Sequence, residues 1–233
     1  MRIQSFTVFF FLGSWLFSLY SQEAVIIDST SYENYREDQF YLSLTFNLLV
    51  NKPEELRQSG FSGGLALGYI RDMPINTSRN TAIGLGAGFS MNNYNQNLVI
   101  TRDAADNTNF EILDQNDYDK NWFTTYLAEV PIQFRWRTST SKDYSFWRIY
   151  TGVKVGYVFS HKFNFEQEVS QVIIQDLPQF DPWRIAATFS FGYASFNMYF
   201  YYSLNPFFTD SVLQNGQKIN VNPLKLGVIF YLL

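Results

Sequence analysis

From Phe40 the chain alternates. Phe40, Leu42, Leu44, Phe46 and Leu48 share one parity, and Tyr41, Ser43, Thr45 and Asn47 share the other. A period of two reads as a strand with one apolar and one polar face. The split recurs with Ile83, Leu85, Ala87 and Phe89 against Gly84, Gly86, Gly88 and Ser90. It recurs with Ala128, Val130, Ile132, Phe134 and Trp136 against Glu129, Pro131, Gln133, Arg135 and Arg137. Ile149, Val153, Val155, Tyr157 and Phe159 oppose Arg148, Tyr150, Gly152, Lys154 and Gly156. Three further runs follow, Ile185–Tyr193, Phe196–Leu204 and Leu224–Leu232, and a weaker one spans Phe61–Tyr69. About eight strands are predicted, longer than the five or six residues of an ordinary strand and close to the 9 to 11 tilted residues that cross a bilayer.

The glycines decide which face points where. Gly84, Gly86, Gly88, Gly152, Gly156, Gly192 and Gly227 all lie on the polar parity. A face exposed to water has no need of them, whereas the lumen of a narrow barrel does. The pattern therefore predicts an all-β fold, an eight-stranded antiparallel outer-membrane β-barrel with bulky residues toward lipid. The intervening segments are Val50–Ser59, Asp72–Asn80, Tyr94–Trp122, Thr138–Phe146, His161–Pro182, a tight turn near Ser195, and Pro206–Pro223. Taken in order, the third, fifth and seventh are long and the second, fourth and sixth short. Long external loops and short periplasmic turns are the habit of such barrels, which places both chain ends in the periplasm.

Ahead of the barrel (residues 39–233), Met1 and Arg2 lead into an apolar run from Phe6 to Tyr20, and Ser21, Gln22 and Glu23 follow it. That run is shorter than the ~20 residues of a bilayer helix and reads as a signal peptide over residues 1–22. Residues 23–38 are then a short periplasmic segment.

Composition narrows the function classes. The chain of 233 residues is 19% aromatic and only 16% charged, with a net charge of −4. A weakly acidic chain lacks the electrostatic footprint of a nucleic-acid binder. With no cysteine there is no disulfide, thiolate zinc site or lipid-attachment thiol. No cofactor is expected. His161 is the single histidine, and it follows Ser160. An outer-leaflet lipid-modifying enzyme would need a carboxylate at that ring; otherwise His161 is an ordinary loop residue. The stretch from Asp103 to Asp119 reads as solvated loop.

The predicted lumen carries Glu129, Gln133, Arg135, Arg148, Lys154 and Arg184, with Tyr150, Tyr199, Tyr201 and Lys225. Buried charges need partners, so a hydrogen-bonded plug is expected in which Glu129 pairs with one or two bases. The surplus of base over acid has no partner in this reading; an anion or an acidic segment of a partner would match it.

The last run resembles the β-signal read by the barrel-assembly machinery, with Lys225, Gly227, Phe230 and Leu232 in its places. The chain ends on Leu233 where many such barrels end on Phe. Other stretches resemble the PorT family of Bacteroidetes, whose gliding members are called SprT. They include Asn47-Leu48-Leu49-Val50-Asn51-Lys52-Pro53, Gly60-Phe61-Ser62-Gly63-Gly64, Gly68-Tyr69-Ile70-Arg71-Asp72-Met73-Pro74-Ile75-Asn76, Glu129-Val130-Pro131 and Phe146-Trp147-Arg148-Ile149-Tyr150-Thr151-Gly152. The resemblance implies an outer-membrane barrel of the type IX secretion system, which exports folded cargo bearing a C-terminal sorting domain and supports gliding. It implies no catalytic residues. The expected partners are outer-membrane lipid, the barrel-assembly machinery and other secretion components. Arg71, Asp72 and Pro74 mark the first periplasmic turn as an expected docking surface, beside Thr138–Phe146 and Glu23–Asp38. The alternatives are a stand-alone structural or adhesion barrel and the lipid-modifying enzyme.

Overall fold

The computed structural model describes residues 38–103, 107–114, 117–138, 146–167, 170–213 and 216–232. The expected signal peptide, almost all of the segment after it and residues 139–145 of the second periplasmic turn lie outside the described residues.

Eleven strands are present among the described residues: β1 (Gln39–Val50), β2 (Gly63–Pro74), β3 (Thr81–Asn95), β4 (Leu98–Arg102), β5 (Thr108–Ile112), β6 (Lys120–Arg137), β7 (Trp147–Gln167), β8 (Ser170–Ile174), β9 (Trp183–Tyr193), β10 (Phe196–Ser203) and β11 (Asn222–Leu232). Eight of them, β1, β2, β3, β6, β7, β9, β10 and β11, form a closed antiparallel barrel. The seam is the pairing of β1 with β11, from Phe40↔Leu232 to Val50↔Asn222. Closure leaves the eight barrel strands without an unpaired edge, which is the condition for crossing a bilayer with strands.

Burial follows the predicted parity. In β1, Tyr41, Ser43, Thr45 and Asn47 are buried while Leu42, Leu44 and Phe46 are exposed. The same alternation runs through β6, β9 and β10. The outward side chains form a continuous apolar belt, far larger than the patches a water-soluble monomer tolerates. Aromatic residues rim it at both ends, as at bilayer interfaces. Trp147 and Tyr193 meet at 5.6 Å on the periplasmic side, and Tyr157 and Trp183 meet at 5.1 Å on the external side.

One ladder shows why the inward parity carries glycine. Partners run from Tyr41 to Gly68, Gly88, Glu129, Gly156 and Arg184 across six strands. The Tyr41 side chain occupies the space above two of these positions. A Cβ on Gly68 would stand 2.6 Å from a ring carbon, and one on Gly88 would stand 2.1 Å from the hydroxyl oxygen. Glycine leaves the floor on which an inward aromatic can lie.

The external half departs from the expected loops. β6 and β7 run on for 18 and 21 residues, past a bulge between Tyr126 and Leu127. Their outer parts pair from Lys120↔Glu166 to Tyr126↔Ser160, and β8 folds back on Phe163–Gln167. β4 and β5 form a separate hairpin in the segment expected to be loop. These extensions carry their own apolar core. Tyr94 and Phe123 stack at 4.8 Å, and Phe207 abuts them at 5.2 and 5.1 Å. Phe180, Phe163 and Phe110 join the same cluster. The loops after β8 and β10 thus close the external end of the barrel with aromatic side chains.

Two substitutions separate packing from hydrogen bonding at the glycine ladder. The Tyr41 hydroxyl has no hydrogen-bond partner among the described residues, so Tyr41→Phe is expected to leave thermal stability unchanged. Gly88→Val must displace the ring and is expected to cost roughly 1–3 kcal/mol as an overpacking change. Comparing the temperatures at which the folded band on an unheated gel is lost checks both; equal losses would contradict the packing role.

Candidate functional site

The lumen is polar in layers. Nearest the periplasm, β2 runs to Pro74 without a break, so Asp72 shares the inward parity of Gly68 and Ile70. Asp72 is 0% exposed. It accepts one hydrogen bond at 2.9 Å from Arg135 Nη1 and another at 2.9 Å from Arg137 Nη2. These two arginines are alternate residues of β6 and so project into the lumen together. Arg135 also donates to Gln39 Oε1 at 2.5 Å, and its guanidinium lies 4.3 Å from the centre of the Tyr150 ring. Arg137 Nε donates to the Arg79 carbonyl at 3.2 Å. One carboxylate therefore ties β2 to β6, while its two arginines reach β1, β7 and the first periplasmic turn.

This corrects the expected docking turn. Asp72 lies inside the barrel and is consumed by two arginines, so it offers no charge to a partner. Arg71 faces the opposite way and is exposed, and Pro74 is half-buried at the end of β2.

The middle layer centres on Glu129. It accepts from Lys154 Nζ at 3.0 Å and from Ser90 Oγ at 2.8 Å. Lys154 stands 5.4 Å from the ring centres of both Tyr41 and Tyr199. Lys225 is also buried, 4.3 Å from the centre of the Tyr201 ring. Thr45, Asn92, Glu129 and Lys225 border a void of about 10 Å³, room for about one water molecule.

The remaining bases are met by neutral oxygens and rings. Arg184, 1% exposed, donates to the carbonyls of Trp183, Asp181, Pro206 and Phe207 and lies 4.7 Å from the Phe207 ring centre. Its nearest carboxylate, Asp181, is 3.7 Å away. Arg184 thereby fastens the external loops to the mouth of the barrel. Arg148 donates to the Ala194 carbonyl of the β9–β10 turn and covers the Phe146 ring at 4.3 Å. Gln133 is buried, and its Oε1 finds no partner among the described residues.

The inward surplus of positive charge is thus smaller than the sequence suggested. Asp72, which the sequence pattern places in a turn, supplies an acid, and carbonyl oxygens and aromatic faces take up much of the rest. Arg137, Gln39 and Asp181 also belong to the network and were not among the expected lumen residues. Unbroken parity from Gly68 through Ile70 is the signal that would have placed Asp72.

The residues of the expected β-signal occupy the closing strand. Lys225 points inward, and Gly227 presses on the backbone of β1 at Leu44 and Thr45. Phe230 and Leu232 lie on the outward parity, with Phe230 against the Phe196 ring at 5.8 Å.

At the external end, the His161 ring stacks on Phe180 at 4.4 Å, and its Nε2 has no hydrogen-bond partner among the described residues. Ser160 is exposed on the strand beside it. A nucleophile–base pair with an orienting carboxylate is not assembled there. Among the described residues no three acidic or histidine side chains are grouped to hold a metal ion.

Two measurements follow. Asp72→Ala leaves two guanidiniums buried without their acid and is expected to lower unfolding stability by about 3–5 kcal/mol; urea unfolding in micelles reads it, and an unchanged midpoint would contradict the pairing. His161 lies beyond the external aromatic rim, where burial holds its ring below the ordinary value of 6.5 and Arg184 acts in the same sense against the pull of Asp176. The neutral form is the favoured one, so an NMR titration is expected to show a midpoint below 6.5; a midpoint above it would contradict the stacked, half-buried placement.

No curated protein matches the chain. Among solved structures, the chain is similar to Ail, the attachment invasion locus protein of Yersinia pestis, solved with the heparin analogue sucrose octasulfate. The identity is 13% and the TM-score 0.35, over 85% of this chain and 99% of that one. A likeness so distant says nothing of function. The model of the family described as outer membrane protein beta-barrel domain matches residues 20–209. With the closed eight-stranded barrel, the rimmed apolar belt and the polar lumen in view, the chain belongs to that outer-membrane β-barrel family and resides in the outer membrane.

Proposed function

We propose that this barrel is a non-enzymatic accessory component of type IX protein secretion, supporting the assembly or stability of the translocon. The reading rests on the stretches that resemble the PorT family, and one structural observation carries its mechanistic half. The lumen is filled from the Asp72–Arg135–Arg137 cluster, through Glu129–Lys154, to the aromatic closure around Phe207. A passage so filled has no room for a folded cargo protein, so the barrel acts beside the pore and does not form it.

The faces available to a partner are then the two ends and the outer wall. At the periplasmic end, the turn between β2 and β3 is internally braced. Asn76 Nδ2 donates to Ser78 Oγ at 2.8 Å, Thr81 N donates to Asn76 Oδ1 at 3.1 Å, and Arg137 N donates to the Asn80 carbonyl at 2.9 Å. Ile75 (59% exposed), Thr77 and Ser78 project from it. A rigid turn with an exposed apolar side chain loses little entropy on docking, which makes it a surface for a periplasmic or membrane-embedded secretion component.

Deletion of the gene in the source bacterium, followed by quantification of sorting-domain proteins in the medium, tests the proposal. Those proteins are expected to vanish from the medium and accumulate in the envelope. Unchanged export would overturn it and leave a stand-alone structural or adhesion barrel as the better reading.

A further inference from the structure

The outward face of the barrel is almost free of charge. Between the two aromatic rims, Arg71 is the only charged residue at an outward position of the eight barrel strands among the described residues. Its neighbours on that face of β2 are Tyr69 and Met73, and it lies three residues before the strand ends at Pro74, near the periplasmic rim. No ion pair of Arg71 is found among the described residues. A charge on the lipid face is tolerated near the interface and disfavoured toward the midplane, so its guanidinium must reach an anion or water at the periplasmic surface.

The same face carries a groove of about 610 Å³. Its floor is Ala87 and Ala128, small residues among outward positions that are otherwise mostly bulky. Tyr69, Phe89, Val130 and Tyr157 wall it. The floor belongs to neighbouring strands, since Phe89 pairs with Ala128, Tyr69 with Ala87 and Ala128 with Tyr157. Because barrel strands tilt, these two adjacent lines of partners, Phe40–Tyr69–Ala87 nearer the periplasmic rim and Phe89–Ala128–Tyr157–Trp183 ending at the external rim, run obliquely across the face. Arg71 stands two residues from Tyr69, at the periplasmic end of the groove.

We propose that this face is a binding site for one phospholipid of the periplasmic leaflet, with its phosphate on Arg71 and one acyl chain laid in the Ala87–Ala128 groove. The fork of a guanidinium matches two phosphate oxygens. The groove is continuous with the lipid-facing belt, so a hydrocarbon chain is the material that already bathes it. An acyl chain entering from the external leaflet, as from lipid A, would meet the groove at its Trp183 end and leave Arg71 without its anion. An acidic group of a membrane-embedded partner would engage Arg71 but not fill the groove. The site is independent of the secretion reading.

Native mass spectrometry of the protein purified from its own outer membrane in mild detergent, with organic extraction of what it retains, tests the site. One retained phospholipid per chain is expected. Arg71→Gln is expected to lower its retention about tenfold by removing the charge-assisted hydrogen bonds. Ala128→Phe, which fills the groove, is expected to lower it comparably. The heat-dependent gel shift establishes that each variant is folded, and Arg71→Gln suffices should Ala128→Phe fail to assemble. Retention by folded Arg71→Gln at the level of the parent, retention of lipid A in place of phospholipid, or no retained lipid would each overturn the proposal. Loss in Arg71→Gln with full retention in folded Ala128→Phe would overturn the groove as the seat of the acyl chain.

Discussion

A narrow closed sheet surrounded by lipid has no water to lend to the groups inside it, and every charge that enters its lumen must be satisfied there. The carboxylate of Asp72, held between Arg135 and Arg137, meets that requirement at the periplasmic end. Its partners sit on a strand that is not its immediate neighbour, so the contact passes over the intervening β3, where the stem of Arg135 lies against Gly84. With Gln39, Tyr150 and the Arg79 carbonyl drawn in as further partners, the cluster sets how the periplasmic half of the barrel is filled. Replacing such a network by apolar residues is often neutral in energy, whereas removing one member is costly.

The external half solves the same problem by other means. There the lumen gives way to aromatic residues from loops, and Arg184, with Asp181 as a longer ion-pair partner at 3.7 Å, binds four carbonyls of the segments that close the mouth. The two ends therefore differ in kind. The periplasmic layer is electrostatic, and the external layer is an apolar core assembled above the membrane by extended strands. The Glu129–Lys154 pair lies between them, and Glu129 belongs to the same ladder of partners as the glycines that Tyr41 covers.

The membrane barrel was legible because lipid and lumen impose opposite chemistry on alternate residues, and β1 displays that opposition over its whole length. The pattern places Asp72 in a turn because Arg71 interrupts the outward apolar run after Leu65, Leu67 and Tyr69. The inward parity carried on regardless. The outer ends of β6 and β7, Lys120–Trp122 and His161–Gln167, fall in segments that the pattern predicts as loop, because both faces are mixed once the strand leaves the bilayer, as in His161-Lys162-Phe163-Asn164. Phe207 and Phe208, adjacent in a segment with no period, give no sign in the sequence that they meet Tyr94 and Phe110. Contacts of that kind depend on where loops return, which local pattern does not encode.

A lumen filled at its periplasmic, middle and external layers is expected to carry no traffic of its own. Planar-bilayer recording of the purified, refolded protein tests this most directly. Insertion without steady ion-conducting steps is the expected result, at neutral pH and moderate applied voltage. Sustained conductance steps in most insertions would contradict the closed lumen, and with it the assignment of this barrel to a supporting role beside a pore.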